Sequence, residues 1–332
     1  MTSGLAPTSD RAPLTPGPAT GGTAPATNSD PLLSGSNLLA HSGFVTLIGR
    51  ANSGKSTLVN AIVGRKVAIT TPLPQTTRHR LRAILDGPDS QLILVDTPGL
   101  HKPQDALGEE LNISALQALA AVDAVAFLLD ASRSFGNGDR WVLQQLAPLP
   151  TPRLLVLSKI DLVDSPTLQR QQAAAEDFLQ FQAVLPLSAL TGVGVMDFVQ
   201  TARDLLPAGP RWFPAGTTTD QDLEVLVAEF IREKILNLTS DEVPYAVGVQ
   251  TEELDFDSRR NLTTIAATIY VERESQNGIL IGKAGERIKT IGTLARADLE
   301  RLLGHQVYLD LRVKLRKNWR RDANQVRRFG YG

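Results

Sequence analysis

The eight residues Gly49-Arg50-Ala51-Asn52-Ser53-Gly54-Lys55-Ser56 satisfy the pattern GxxxxGK[ST] directly after the apolar run Phe44-Val45-Thr46-Leu47-Ile48. A buried strand that turns through glycines into a helix leaves few folds open, because it is the opening unit of an α/β sheet with a phosphate-binding edge. The glycines let main-chain N–H groups close around a phosphate. Lys55 supplies a point charge between the outer phosphates, and the Ser56 hydroxyl is placed for magnesium. From Thr57 to residue 63 the chain is helix-compatible, and the helix N-terminus adds partial positive charge. The rival reading, a Gly-rich turn without a ligand, requires the whole pattern to arise by chance behind a strand.

From residue 44 to about 206, five short apolar runs each precede a helix-compatible stretch: Phe44 to Ile48, Gln91 to Val95, Ala124 to Leu129, Leu154 to Leu157 and Val184 to Leu187. Repeated strand-then-helix order predicts a doubly wound, mainly parallel sheet covered on both faces. His79 to Asp86 alternates polar and apolar residues and predicts an edge strand, joined to the next through Gly87-Pro88-Asp89. Residues 207–214 carry three prolines and a glycine, which predicts a linker over 207–219, free to set several domain orientations. Beyond it the predicted order is a helix over 221–238, strands over 245–253 and 262–273, a Gly-punctuated turn, a helix over 286–303 and a last strand. In that strand Val307, Leu309, Leu311, Val313 and Leu315 alternate with Tyr308, Asp310, Arg312, Lys314 and Arg316, giving a core face and a basic face. The expected organisation is a tail at 1–40, a phosphate-binding domain at 41–206 and a smaller α+β domain at 220–332.

Composition narrows the setting. With 332 residues the chain is long enough for two cores. It has no cysteine, which excludes disulfides and thiolate metal sites, and its four histidines are not at ligand spacing. A reducing, cytoplasmic compartment fits, and no apolar stretch approaches the roughly 20 residues that span a bilayer. Residues 1–40 are rich in Pro, Ala, Thr, Gly and Ser without the pattern of a secretory signal, and predict disorder. From Asp310 onward eight basic side chains face two acidic ones, although the whole chain has a formal net charge of −1. Such clustering suggests a polyanionic partner, against the plainer reading of a solvated face.

Asp96-Thr97-Pro98-Gly99 ends an apolar strand, at the edge where open parallel sheets bind ligands. Asp96 is placed to hold magnesium and the Gly99 N–H to meet a terminal phosphate. Thr76-Thr77-Arg78 follows a Pro-interrupted segment that reads as a mobile loop; Thr77 is the expected magnesium-closing hydroxyl and Thr76 the fallback. Ser158-Lys159-Ile160-Asp161 follows another strand. The Asp161 carboxylate can accept from guanine N1–H and the 2-amino group, which adenine lacks, and Lys159 can lay its stem along the purine. Ser188-Ala189 would supply an N–H to the guanine carbonyl. Gly282-Lys283-Ala284-Gly285 is a GxxG loop ahead of a helical segment, where a backbone can approach nucleic-acid phosphates closely.

These motifs, with Gln75-Thr76-Thr77-Arg78-His79-Arg80 and Asp96-Thr97-Pro98-Gly99-Leu100-His101, resemble the Era family of translation-factor-related GTPases, from residue 43 to the end. Val313-Lys314, Trp319-Arg320, Asp322 and Gly330-Tyr331 fit the family's C-terminal pattern. The resemblance implies a P-loop GTPase domain followed by a type II KH domain, GTP and GDP as nucleotides, and magnesium held by Ser56, Thr77 and Asp96. Lys55, Asn52 and Thr77 carry the catalytic roles it implies, with potassium at Asn52 as a hypothesis. Thr97, Pro98 and Leu100 belong to the nucleotide switch. It further implies a slow GTP-driven switch that binds the 3′ region of 16S ribosomal RNA and assists 30S subunit assembly, cytoplasmic and monomeric, with peripheral contact at the inner face of the cell membrane and no role for DNA. Ile279, Ile281, Gly282, Lys283, Ala284, Gly285, Arg287, Lys289, Arg316 and Lys317 are the expected RNA contacts, and Trp319 and Tyr331 are candidates either for base stacking or for packing.

Two departures stand out: Ser158 replaces the family's usual Asn, which predicts a lost tie to the phosphate loop and weaker guanine binding, and Ala51 replaces Pro. Leu100 is apolar where many small GTPases carry a water-orienting Gln, so no side chain is expected to position the attacking water. The alternatives are an RNA-binding scaffold with a weakened nucleotide site and a different ribosome-assembly GTPase with a KH-like appendage; the single phosphate loop and intact GxxG disfavour the second.

Overall fold

The strand ahead of the phosphate loop lies in the middle of a six-stranded sheet in the computed structural model, which describes residues 38–39, 41–120 and 122–331. Val45, Leu47 and Ile48 are fully buried, because helices cover both faces of a parallel strand. The first half runs β1 (Leu38–Leu39), β2 (His41–Ile48), α1 (Lys55–Val63), β3 (Leu81–Asp86), β4 (Ser90–Asp96), α2 (Ala106–Gln117), β5 (Ala124–Asp130), α3 (Asn137–Leu146), β6 (Arg153–Ser158), α4 (Ser165–Glu176), β7 (Ala183–Pro186) and α5 (Val195–Asp204). The sheet order is β3-β4-β2-β5-β6-β7, and β3 alone is antiparallel to its neighbour. Local chemistry sets the helix ends: Asp105 and Asp164 accept from the Gly108 and Thr167 N–H groups to open α2 and α4, and left-handed Gly64 closes α1.

The second half runs β8 (Gly209–Pro210), α6 (Leu223–Leu238), α7 (Val243–Ala246), β9 (Gly248–Asp257), β10 (Leu262–Val271), α8 (Glu274–Ile281), α9 (Glu286–Leu303), β11 (Gln306–Leu315) and α10 (Ala323–Arg328). Its sheet has the order β11-β10-β9, with β10 parallel to β11 and antiparallel to β9. No helix among the described residues is long and apolar enough to cross a membrane.

Three expectations need revision. The Gly-punctuated turn predicted between residues 273 and 286 contains the helix α8: Gln276 accepts the Glu272 and Arg273 N–H groups to cap it, and its Leu280 is buried. Polar residues and Gly278 hid this helix, since it has only two buried positions. The strand predicted from Tyr245 begins at Gly248, because Pro244 favours the first turn of α7 instead. The predicted free linker is stitched to the sheet edge. Asp86 takes the Arg211 guanidinium and the Gly216 N–H, each at 3.1 Å. Gln91 Oε1 accepts from Trp212 and Phe213 at 2.9 and 3.0 Å. Proline and glycine exclude a regular element, yet the remaining backbone groups still find side-chain partners. The tail expected at 1–40 lies outside the described residues except for Leu38–Leu39, which pair with Gly209–Pro210.

The two halves interlock through their cores. Ile69 from the first half packs in the second core, and Leu226 of α6 packs in the first. Leu107 and Leu111 of α2 pack with Tyr270, Trp319, Val326, Phe329 and Tyr331.

Candidate nucleotide site and nucleic-acid groove

Strand order reverses around β2, which pairs with β4 on one side and β5 on the other, and the phosphate loop leaves its carboxyl end at that point. A cavity of about 240 Å³ opens there, lined by residues of the loop, by the segment from Ile69 to Thr77, and by Gly99, Arg133 and Lys159. Lys55 is only 5% exposed, and its ammonium donates to the Gly49 and Arg50 carbonyls at 3.3 and 3.1 Å. Burial lowers its pKa to about 8, against the opposing charge of Asp96. The Arg50 guanidinium is drawn off to Asp139 at 3.0 Å, so this residue serves the loop through its main chain.

The three expected magnesium residues meet. Ser56 Oγ lies 2.7 Å from Asp96 Oδ2 and 2.8 Å from Thr77 Oγ1. Asp96 is fully buried, and burial raises its pKa although Lys55 and Ser56 pull it back. Among the described residues Asp96 Oδ1 has no hydrogen-bond partner. Two hydroxyls and a carboxylate with a spare buried oxygen form a hard, all-oxygen donor set, which fits magnesium. Thr76 is turned elsewhere, with its hydroxyl 2.7 Å from the Leu73 carbonyl and 2.8 Å from Thr71. The Thr97 hydroxyl ties the switch to β2 through the Leu47 carbonyl at 2.8 Å. A Cβ at Gly99 would stand 2.7 Å from the Ala51 backbone, so only glycine lets this loop approach the phosphate loop so closely. Pro98 is buried beside it, and Leu100 donates its N–H to the Gly49 carbonyl at 3.2 Å.

On the base side Ser158 keeps the loop end of the expected tie: its hydroxyl lies 2.7 Å from the Ser53 carbonyl and 3.1 Å from the Leu129 carbonyl, although it has no amide to offer the base. Lys159 pairs with Asp130 at 2.7 Å, at the rim of the cavity. Asp161 is exposed in the short 3₁₀ turn that follows. Ser188 commits its N–H to the Val193 carbonyl at 2.9 Å, which narrows the Ser188-Ala189 pair to Ala189 for a guanine carbonyl.

The segment bearing Thr77 is gripped from the second half. Arg232 of α6, fully buried, donates to the Thr76 carbonyl. Arg78, 1% exposed, donates to the Val247 and Tyr245 carbonyls at 2.6 and 3.1 Å, and its guanidinium faces the Trp319 and Tyr331 rings. Burial, aided by the Arg232 charge, brings the Arg78 pKa down to about 10. Burial would likewise lower Arg232, but Glu229 at 2.6 Å more than offsets it and holds the guanidinium above its usual value. The His79 ring packs at a tilt against Tyr331 near Glu229, and Glu233 accepts the Thr70 N–H at 3.0 Å. Sequence reading missed Glu229, Arg232 and Glu233; charges at i, i+3 and i+4 set among the apolar residues Phe230, Ile231, Ile235 and Leu236 were the available signal.

The GxxG loop joins α8 to α9. Gly282 has φ 73°, and a Cβ there would meet that of Arg287 at 2.9 Å. Arg287 donates to the Ile279 carbonyl at 2.5 Å, which steadies the loop. Lys283, Ala284 and Lys289 are exposed, Gly285 is partly exposed, and Ile279 and Ile281 present apolar surface beside them. A groove of about 390 Å³ continues between α9 and β11, lined by Ile288, Lys289, Gly292, Thr293, Arg296, Tyr308, Leu309 and Leu311. Lys317 is exposed just past β11. Arg316 departs from its expected place: its guanidinium lies 4.3 Å from the Tyr270 ring and 5.4 Å from Phe329, inside the aromatic cluster. Trp319 and Tyr331, 0% and 1% exposed, are packing residues and not base-stacking ones. Tyr308, 59% exposed on the groove wall, is the aromatic available for stacking.

Comparison with known proteins gives the same two parts. Residues 44–159 match a family described as 50S ribosome-binding GTPase, and residues 242–320 match the KH domain. The chain is 46% identical over 296 residues to GTPase Era of Mycobacterium tuberculosis, covering 88% of this chain and 99% of that one. The same figures hold for GTPase Era of Mycobacterium bovis. A crystal structure of Era with MgGDPNP and nucleotides 1506–1542 of 16S ribosomal RNA superposes with a TM-score of 0.85 at 36% identity, over 88% of this chain and 99% of that one. A single-residue variant of Aquifex aeolicus Era bound to GDP·AlF4⁻ aligns equally well.

Proposed function

The chain belongs to the Era family of GTPases, and from that membership we propose that GTP hydrolysis switches its grip on the 3′ region of 16S ribosomal RNA during 30S subunit assembly. The observation that carries this reading is the double engagement of one short segment. Thr77 reaches the Ser56-Asp96 pair on one side, while Thr76 and Arg78 are bonded to α6 and the α7–β9 corner on the other. Any change in the hydroxyl contact of Thr77 is thereby transmitted to the half that carries the groove.

Lys55 and the loop N–H groups bind and orient the triphosphate, and Ser56, Thr77 and Asp96 hold magnesium, which neutralises charge on the outer phosphates when bound. Ala189, Asp161 and Lys159 select guanine. Asn52 donates to the Pro72 carbonyl at 2.5 Å, and its own amide oxygen is the neutral donor we assign to potassium. In the second half the GxxG backbone takes the RNA backbone and Tyr308 stacks a base. We assign this work to the cytoplasm, the compartment that the proposed ligands and the absence of cysteine fit. The deciding experiment measures binding of a 16S 3′-end oligonucleotide and a scrambled control, with GDPNP and with GDP. Selective binding that depends on the nucleotide is expected, and equal binding in both states would break the proposed coupling.

A further inference from the structure

Leu100, the residue after Gly99, is 2% exposed and built into the core beside α2 and β5. Switch chemistry that depends on a glutamine at that position is closed to this chain. A glutamine nevertheless reaches the same space from the other switch. Gln75 lines the cavity above the phosphate loop together with Thr77 and Gly99. Its side-chain nitrogen lies 2.7 Å from His101 Nε2, and His101 Nδ1 lies 3.0 Å from the Gly99 carbonyl.

This chain of contacts assigns the protons. A carbonyl only accepts, so Nδ1 of His101 carries the hydrogen, and Nε2 is left to accept from the Gln75 amide. The amide nitrogen is thereby turned to His101, and Gln75 Oε1 is the end left to accept a hydrogen bond. His101 is itself fixed from α2: its carbonyl accepts from Asn112 Nδ2 at 2.7 Å, and its N–H points to Asn112 Oδ1 at 3.4 Å. Gln75 also has φ 61°, a left-handed backbone that glycine would adopt without strain. Strain held by the surroundings in a ligand cavity is a mark of a functional residue.

We propose that Gln75 orients the water that attacks GTP, and that His101 is its positioning residue. The water oxygen bonds to the terminal phosphorus as the bond to the bridging oxygen breaks, and that electron pair leaves with GDP. One water proton passes to an oxygen of the released phosphate. Gln75 Oε1 accepts a hydrogen bond from the water and takes no proton, since a neutral amide is no base. The inference rests on GTP hydrolysis in the first half and revises the expectation that no side chain positions the water.

The test uses the full chain with magnesium and saturating GTP in single-turnover reactions. Gln75→Gly keeps the left-handed backbone and removes the amide; Gln75→Asn keeps an amide but withdraws it by one methylene. Each is expected to slow the chemical step by about 100-fold, the scale of a misplaced reactant, while GTP and GDP affinities stay within about twofold. His101→Ala should slow it comparably, and the double variant should be no slower than the slower single one. Gln75→Gly should also weaken binding of GDP–aluminium fluoride, which mimics the transferring phosphoryl group, and spare GDPNP. Hydrolysis at the parental rate in Gln75→Gly, or a loss of GTP affinity that matches the loss of rate, would overturn the proposal. Failure of the unsubstituted chain to turn over GTP would strike the GTPase assignment instead.

Discussion

Lys55 in the first half is 5% exposed and Lys283 in the second stands in solvent, yet phosphate oxygens are the ligand we propose for both. Around Lys55 every group is fixed before the ligand arrives: the ammonium is held by loop carbonyls, Asp96 is sealed from water, and Ser56 is locked between Asp96 and Thr77. Around Lys283 the loop is open, and the neighbouring groove has an apolar wall with Lys289 and Arg296 on its rim. Buried charges act through a low local dielectric and tolerate no substitution; exposed ones act through a screened field and add in small, salt-sensitive steps. The same contrast separates the arginines. Arg78 and Arg232 are structural parts of the joint between the halves, whereas the exposed basic residues of the second half are available to a partner.

The comparison is sharpest at Lys55. Lys55→Ala should cut GTP turnover by about 100- to 1,000-fold, as removal of a preorganised donor does, and leave 3′-end oligonucleotide binding to the nucleotide-free protein unchanged. Parallel loss of RNA binding would show that the halves do not work by separate means. Arg78→Ala comes next, because it leaves the Tyr245 and Val247 carbonyls buried without their donor. A stability loss of about 3 kcal/mol is expected in denaturant unfolding, together with collapse of the GDPNP-versus-GDP difference in RNA affinity. An intact difference would move the coupling elsewhere. Tyr308→Ala should weaken oligonucleotide binding about tenfold, the scale of one lost stacking contact, with GTP turnover unaltered. Lys289→Ala should lower the salt slope of that binding by about one.

The smallest expected effect is a pH dependence. The Lys55 pKa is depressed to about 8 by burial, and the anionic phosphates raise it again when they bind. Below pH 8 the ammonium is already charged. Above it, binding must take up a proton, so nucleotide affinity falls as pH rises. The dissociation constant for GDP with magnesium should grow about fourfold between pH 7 and pH 8.5. A flat profile over that interval would mean that Lys55 is fully charged in the unliganded site.

Elements with long apolar runs or fixed motifs were legible because their signal is local. The strands of the first sheet, the phosphate loop and the clean alternation of β11 follow from residue order alone. The helix α8 was not, since two buried positions in eight residues leave no period to read. At Ser158 the motif showed which side chain is usual, but not that a shorter one placed between the Ser53 and Leu129 carbonyls still reaches the phosphate loop.

Residue order by itself determined that this chain makes a phosphate-binding α/β sheet followed by an α+β half with a GxxG loop, because backbone freedom at glycines and apolar periodicity act over a few residues. Tertiary structure alone decided that Trp319, Tyr331 and Arg316 belong to a packed joint, that Arg78 and Arg232 clamp the Thr77 segment, and that Gln75 meets His101. The hydrogen bonds of Gln75, Arg232 and Arg78 among them join residues 26 to 169 positions apart, and only the closing of the chain into a shared core brings such residues within reach.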